Sequence, residues 1–232
     1  MMATAFLIFV AVMAFFVAAM VIRHLRTTAA ATIIVVMVLW LTYAGLLGYF
    51  GVIGNPVLPG PAFLLIPVFL FVFLFLTRSE PAARIATTIP LGLLIGAQVF
   101  RVGVELVLHQ LWLVGLAPRM LTYSGANYDI VIGISAPLVA WLYVRGNIGE
   151  RAALAWNALG IVLLVNIATR ALLTAPGPLH VLASEVPNRA IGTFPFSYIP
   201  GFLAPLALVL HVLAIRALRA RLRGRQPVPA IG

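Results

Sequence analysis

The sequence contains no cysteine, and only five of its 232 residues are acidic. Without thiols there are no disulfides, no thiolate metal centres and no iron–sulfur clusters, and the redox compartment leaves no mark. Lysine is absent as well, so all fifteen positive charges are arginines. That absence excludes a retinal Schiff base. Charged residues make up 9% of the chain, against about a quarter in a soluble domain.

What fills the chain instead is apolar: 63% of residues are hydrophobic and the mean hydropathy is +1.14. That is the composition of an integral membrane protein. The length accommodates roughly seven spans of about 20 residues with short connections and no separate soluble domain. The expected fold class is all-α, a polytopic bundle of transmembrane helices over residues 1–222, with a basic, proline-containing tail at 223–232 expected to be disordered.

Apolar stretches place the spans at Ala3–Ile22, Ala31–Ile53, Ala62–Leu76, Ala86–Leu116, Asp129–Val144, Ala152–Thr174 and Tyr198–Ile215. The first is too long for a signal-peptide core, and no basic segment precedes it. Gly54 to Pro61 reads as an uncharged turn, and Pro137 is expected to kink the fifth span. An odd number of spans puts the termini on opposite sides. Arg23, Arg26, Arg78, Arg84, Arg145, Arg151 and the arginines from Arg216 to Arg225 then share one side, with Arg119 and Arg189 on the other. The positive-inside rule makes the first side cytoplasmic and leaves the N-terminus outside, as in a multi-pass protein of the plasma membrane or a bacterial inner membrane. The net charge of +10 is thereby explained by topology and anionic lipid, and nucleic acid is not an expected partner.

Polar residues interrupt one span in a regular way. Gln98, Arg101, Glu105, His109 and Trp112 recur at steps of three and four, which places them on one stripe of the fourth helix. At about 1.5 Å per residue, Arg101 sits near the bilayer centre, Glu105 about 5 Å outward and His109 about 10 Å outward. Asn166 and Arg170 on the sixth span match the levels of Glu105 and His109, and Asp129 and Asn127 close the same side. The expected ligand-binding set is therefore Gln98, Arg101, Glu105, His109, Asp129, Asn166 and Arg170, in the outer half of the membrane. Asn157 lies half a turn away from Asn166, and His211 is placed about 6 Å to the cytoplasmic side of its span centre. Neither is expected to join the set.

Simpler roles exist for several of these residues. Arg101 and Glu105, at i and i+4, are spaced to neutralise one another as a helix-holding pair. Asn166 suits inter-helix glue, Arg170 a snorkelling arginine, Asp129 an N-cap, and Trp112 and the tyrosines interface anchors. Against a purely structural role, a charge at the bilayer centre costs at least about 2.5 kcal/mol on insertion scales. Glu105 and His109 have metal-ligand spacing with His180 as a third donor, but His109 and His211 fall on opposite sides of the centre, and no metal is expected. The cofactor is not readable. Two function classes fit: a small-molecule binding or transport protein holding a polar or lipid ligand, and an intramembrane enzyme acting on a lipid or polyprenoid at the outer leaflet. No internal repeat of the kind seen in seven-helix sugar transporters and no rhomboid-type serine motif is present.

The orientation is checked by topology reporters: fusions after Arg26 and after Arg225 should both report cytoplasm, and an exterior signal at either position overturns it.

Overall fold

The computed structural model describes residues 1–55, 57, 60–177 and 179–224, so most of the expected disordered tail lies outside the described residues. Among them every regular element is helical: α1 (Met2–His24), α2 (Thr27–Tyr49), α3 (Ala62–Leu70), α4 (Glu80–Thr88), α5 (Leu91–Gly96), α6 (Phe100–Leu113), α7 (Asp129–Val144), α8 (Glu150–Leu173) and α9 (Ala204–Gly224). Five stretches, Met2–His24, Thr27–Tyr49, Leu91–Leu113, Glu150–Thr174 and Ile199–Gly224, are long and apolar enough to cross a membrane. A sixth is added if Ala62–Leu76 and Glu80–Thr88, bent by 84°, form one broken span, while Asp129–Val144 is apolar but shorter. The chain is a multi-pass membrane protein.

The fourth span is not the single helix that its stripe implies. Pro90 lacks a backbone N–H and forces the preceding residue out of the helical region, and Ile89 is extended at ψ 130°. The helix therefore restarts at Leu91, and it tightens into a 3₁₀ turn at Ala97–Val99 before α6 begins. The stretch Ala86–Leu116 is thus divided, with its first residues in α4.

Proline governs two further places. Pro67 inside α3 removes the N–H that would bond the carbonyl of Phe63, and the Tyr43 hydroxyl from α2 donates to that oxygen at 3.1 Å. Pro205 does the same to the carbonyl of Gly201, which accepts from the Trp40 indole N–H at 2.5 Å. The two donors stand one turn apart on α2 with ring centroids 5.3 Å apart. On either side of these prolines the backbone widens into π-helix, at Phe71–Leu76 and Ile199–Leu203.

α9 is the central element, with Leu206, Ala207, Leu210, His211, Leu213, Ala214, Ala217 and Leu218 all buried. It packs against α8, α4 and α5, and α7 packs against α5 and α6. α1 turns one face, with Phe6, Val10, Met13, Val17 and Met20, into the core, while other apolar side chains of α1, α2 and the π segment after α3 are exposed, among them Phe15, Leu39 and Phe73. Facing lipid, they need no further partner.

If Trp40 serves the Gly201 carbonyl, Trp40→Phe should lower stability in detergent by about 1–3 kcal/mol, and by less in a Pro205→Ala background, where the helix supplies its own donor. Equal losses in both backgrounds would mean that Trp40 contributes packing alone.

Candidate functional site

Four ionisable side chains meet inside the bundle. Arg101, Glu105 and His211 are 2%, 1% and 0% exposed, and Asp129 is 6% exposed. Arg101 Nε donates to Asp129 Oδ2 at 3.2 Å, and its terminal nitrogen Nη2 forms an ion pair with Asp129 Oδ1. Nη1 lies 2.9 Å from His211 Nε2. A guanidinium nitrogen can only donate, so Nε2 accepts and the imidazole proton sits on Nδ1, which donates to Asn157 Oδ1 at 2.9 Å. The Asn157 amide in turn donates to the Ala153 carbonyl. The chain Asp129–Arg101–His211–Asn157 thus joins α7, α6, α9 and α8 in one line of hydrogen bonds.

The turn before α7 completes the arrangement. Asn127 Oδ1 accepts from the Asp129 backbone N–H at 3.0 Å, satisfying a donor at the helix start and freeing the Asp129 carboxylate for Arg101. Its amide donates to Glu105 Oε1 at 2.5 Å and to the Leu121 carbonyl at 3.0 Å. Gln98 donates to the Ala207 carbonyl at 3.0 Å, one turn before His211. Among the described residues, two buried acceptors here have no donor, Gln98 Oε1 and Glu105 Oε2.

Small residues let these helices close. A Cβ at Gly160 of α8 would collide with the His211 ring, and one at Gly133 of α7 would come within 2.9 Å of Val102 in α6. Trp156 packs edge-on to His211 at 5.7 Å and donates to Ser135 Oγ at 3.0 Å, closing the α7 side.

The residues nearer the Met120–Tyr128 loop form a second tier. His109 stacks on Tyr123 at 4.6 Å and sits 5.1 Å from Trp112, so the aromatic pair belongs to the loop contact. Asn166 donates to the Ala126 carbonyl at 3.1 Å and accepts from Arg170 Nε at 3.0 Å. Both loops on this side are tied down. The Arg119 backbone N–H donates to Glu185, the Ala190 N–H to the Leu116 carbonyl at 3.1 Å, and Asn188 Nδ2 to the Ala171 carbonyl at 3.2 Å.

The sequence-derived set is therefore divided. Arg101 and Asp129 are in direct contact, Glu105 reaches them through Asn127, Gln98 lies one turn of α9 away, and His109, Asn166 and Arg170 stand apart around the Met120–Tyr128 loop. The expected local pair is replaced: Arg101 bonds Asp129, and Glu105 bonds Asn127. His211 and Asn157, excluded by depth, are central. The helical stretch Ile199–Gly224 extends beyond the apolar run and centres on His211, which brings it level with Arg101. Among the described residues no group of three His, Asp or Glu is placed to hold a metal ion.

The family model described as Domain of unknown function (DUF8737) matches residues 56–219, and the chain belongs to that family. Every residue of the inner cluster lies within the match, whereas α1 and α2 precede it. No curated protein and no solved structure matches the chain.

Asp129→Asn strands the guanidinium and should cost about 3–5 kcal/mol in detergent unfolding, while Arg101→Met with Asp129→Leu should cost less than the sum of the two single changes. Arg101→Met with Glu105→Leu should show weaker coupling than the pair with Asp129. Coupling that is stronger to Glu105 than to Asp129 would contradict the pairing.

Proposed function

We propose that this chain is a membrane-embedded small-molecule binding or transport protein of the plasma membrane, with its site at the buried cluster around Arg101 and Glu105. It crosses seven times with its N-terminus outside, α7 and the Ala62–Leu76 stretch serving as short spans. The supporting observation is a surplus of buried acceptors. One guanidinium stands among two carboxyl groups, Asp129 already matches it, and Gln98 Oε1 and Glu105 Oε2 have no donor among the described residues. Leaving such acceptors unmade costs about 1–3 kcal/mol each, so a ligand that brings donors is favoured there.

A compact protonated amine has the matching chemistry, with its charge met by Glu105 and its N–H groups by Gln98. Arg101 then holds Asp129 and His211 in place and is not the binding group for an anion, because its own charge is already paired. His109, Asn166 and Arg170 line the approach beneath the outer loops, which must part for entry.

A stability screen of the detergent-solubilised protein against small alkylammonium ions, guanidinium ions and matched carboxylates tests this. Amines should raise the unfolding midpoint, by about 2.7 kcal/mol of stabilisation at a hundredfold excess over Kd, and should not do so for Glu105→Gln. Stabilisation by carboxylates alone would refute it.

A further inference from the structure

A second polar feature lies at the arginine-rich end of the bundle, outside the buried cluster. After the π segment Phe71–Leu76 the chain turns by 84° into α4, which packs against α9. α4 buries Ala82 and Ala86 and exposes Arg84, Thr87 and Thr88, the pattern of a helix lying along an interface. Between α4 and α9 is a cavity of about 310 Å³, whose polar lining is Thr77, Glu80, Thr87, Arg216, Arg219 and Arg223.

The arginines recur at three and four residues, so they share one face of α9. Arg216 is anchored: its Nη1 donates to the Leu76 carbonyl at 2.6 Å and to the Ser79 carbonyl at 3.1 Å, closing the end of the π segment. Its remaining guanidinium donors are left for the cavity. Arg219 and Arg223 are exposed, and neither forms a salt bridge among the described residues. Both threonine hydroxyls donate to carbonyls of their own helices and contribute no free donor. Three guanidinium groups face a single carboxyl, Glu80, which leaves the cavity with unmatched positive charge and planar donor pairs.

We infer that this cavity is a binding site for a phosphate group, carried by an anionic lipid headgroup or by a small soluble phosphate. Guanidinium forks match phosphate oxygens two at a time, and basic pockets at the cytoplasmic ends of membrane helices take anionic headgroups. The bilayer-side approach is apolar, with Phe73 and Leu74 exposed immediately before Thr77, a surface on which an acyl chain can lie. This site depends on no assignment made for Arg101, Glu105 or His211.

The test uses the full-length protein in neutral detergent, titrated with short-chain phosphatidic acid, short-chain phosphatidylcholine and inorganic phosphate, with binding read by calorimetry. Phosphatidic acid should saturate, and R219Q/R223Q should bind it about 25-fold more weakly, at roughly fivefold per arginine. Glu80→Gln should tighten binding. R145Q/R151Q removes the same charge from the same end of the bundle, as the bond from Arg221 to Tyr143 shows, but outside the cavity, and should leave affinity unchanged. Saturation by phosphatidic acid alone assigns the lipid headgroup, and saturation by inorganic phosphate at the same concentration assigns a soluble phosphate. The site is overturned if neither phosphate probe saturates, if phosphatidylcholine binds equally well, or if the two double variants weaken binding alike.

Discussion

The ion pair between Arg101 and Asp129 is the constraint from which the interior of this protein follows. A guanidinium 2% exposed in an apolar bundle needs a nearby anion, and the remaining N–H groups need acceptors. The anion comes from the first residue of α7, so that helix has to begin inside the bundle, which agrees with its length of 16 residues. The start of a helix inside an apolar region exposes backbone donors, and Asn127 meets one of them. The next acceptor is His211, and reaching it requires α8 to approach α9 closely at Gly160. Once Nε2 accepts, Nδ1 must donate, and Asn157 provides the acceptor. Four helices are placed by one charge.

The same requirement acts on the backbone. Hydrocarbon offers no hydrogen bonds, so a carbonyl freed by a proline is stabilised by a side-chain donor from elsewhere in the protein. Tyr43 and Trp40 meet those opposite Pro67 and Pro205, and Arg216 meets the end of the π segment. These aromatic residues are structural donors. Their place along α2 is set by the breaks in α3 and α9, and the widened turns beside the prolines are tolerated because the donors are there.

Much of this interior was legible in the sequence as positions, and little of it as partners. A stripe at helical spacing marks Gln98, Arg101 and Glu105 without ambiguity, because in a chain this apolar a periodic polar residue stands out. All three are buried. Their bonds are long-range, however, and spacing along one helix favours the wrong neighbour: Glu105 is one turn from Arg101, yet Asp129 supplies the pair. Depth arithmetic failed for His211 because the helix continues past its apolar run into the arginines, which moves its centre toward the C-terminus. Asn157 was set aside by its angle from Asn166, although the two serve different tiers. Pro90 carried a readable break that the strength of the polar stripe obscured.

The extent of the family match adds a physical point about the first two helices. Residues 56–219 contain the whole inner cluster together with Pro67 and Pro205, but Trp40 and Tyr43 lie before the match. A chain made of that segment alone would turn the carbonyls of Phe63 and Gly201 toward hydrocarbon with no donor. The close fit of α2 extends this contact, since a Cβ at Gly45 or Gly48 would strike Tyr198 or Ser197. In this chain α2 is therefore part of the core that holds the π segment, and through it α9 and His211, at the level of Arg101. A relative that lacks the two leading helices has to supply equivalent donors from another chain or replace the prolines.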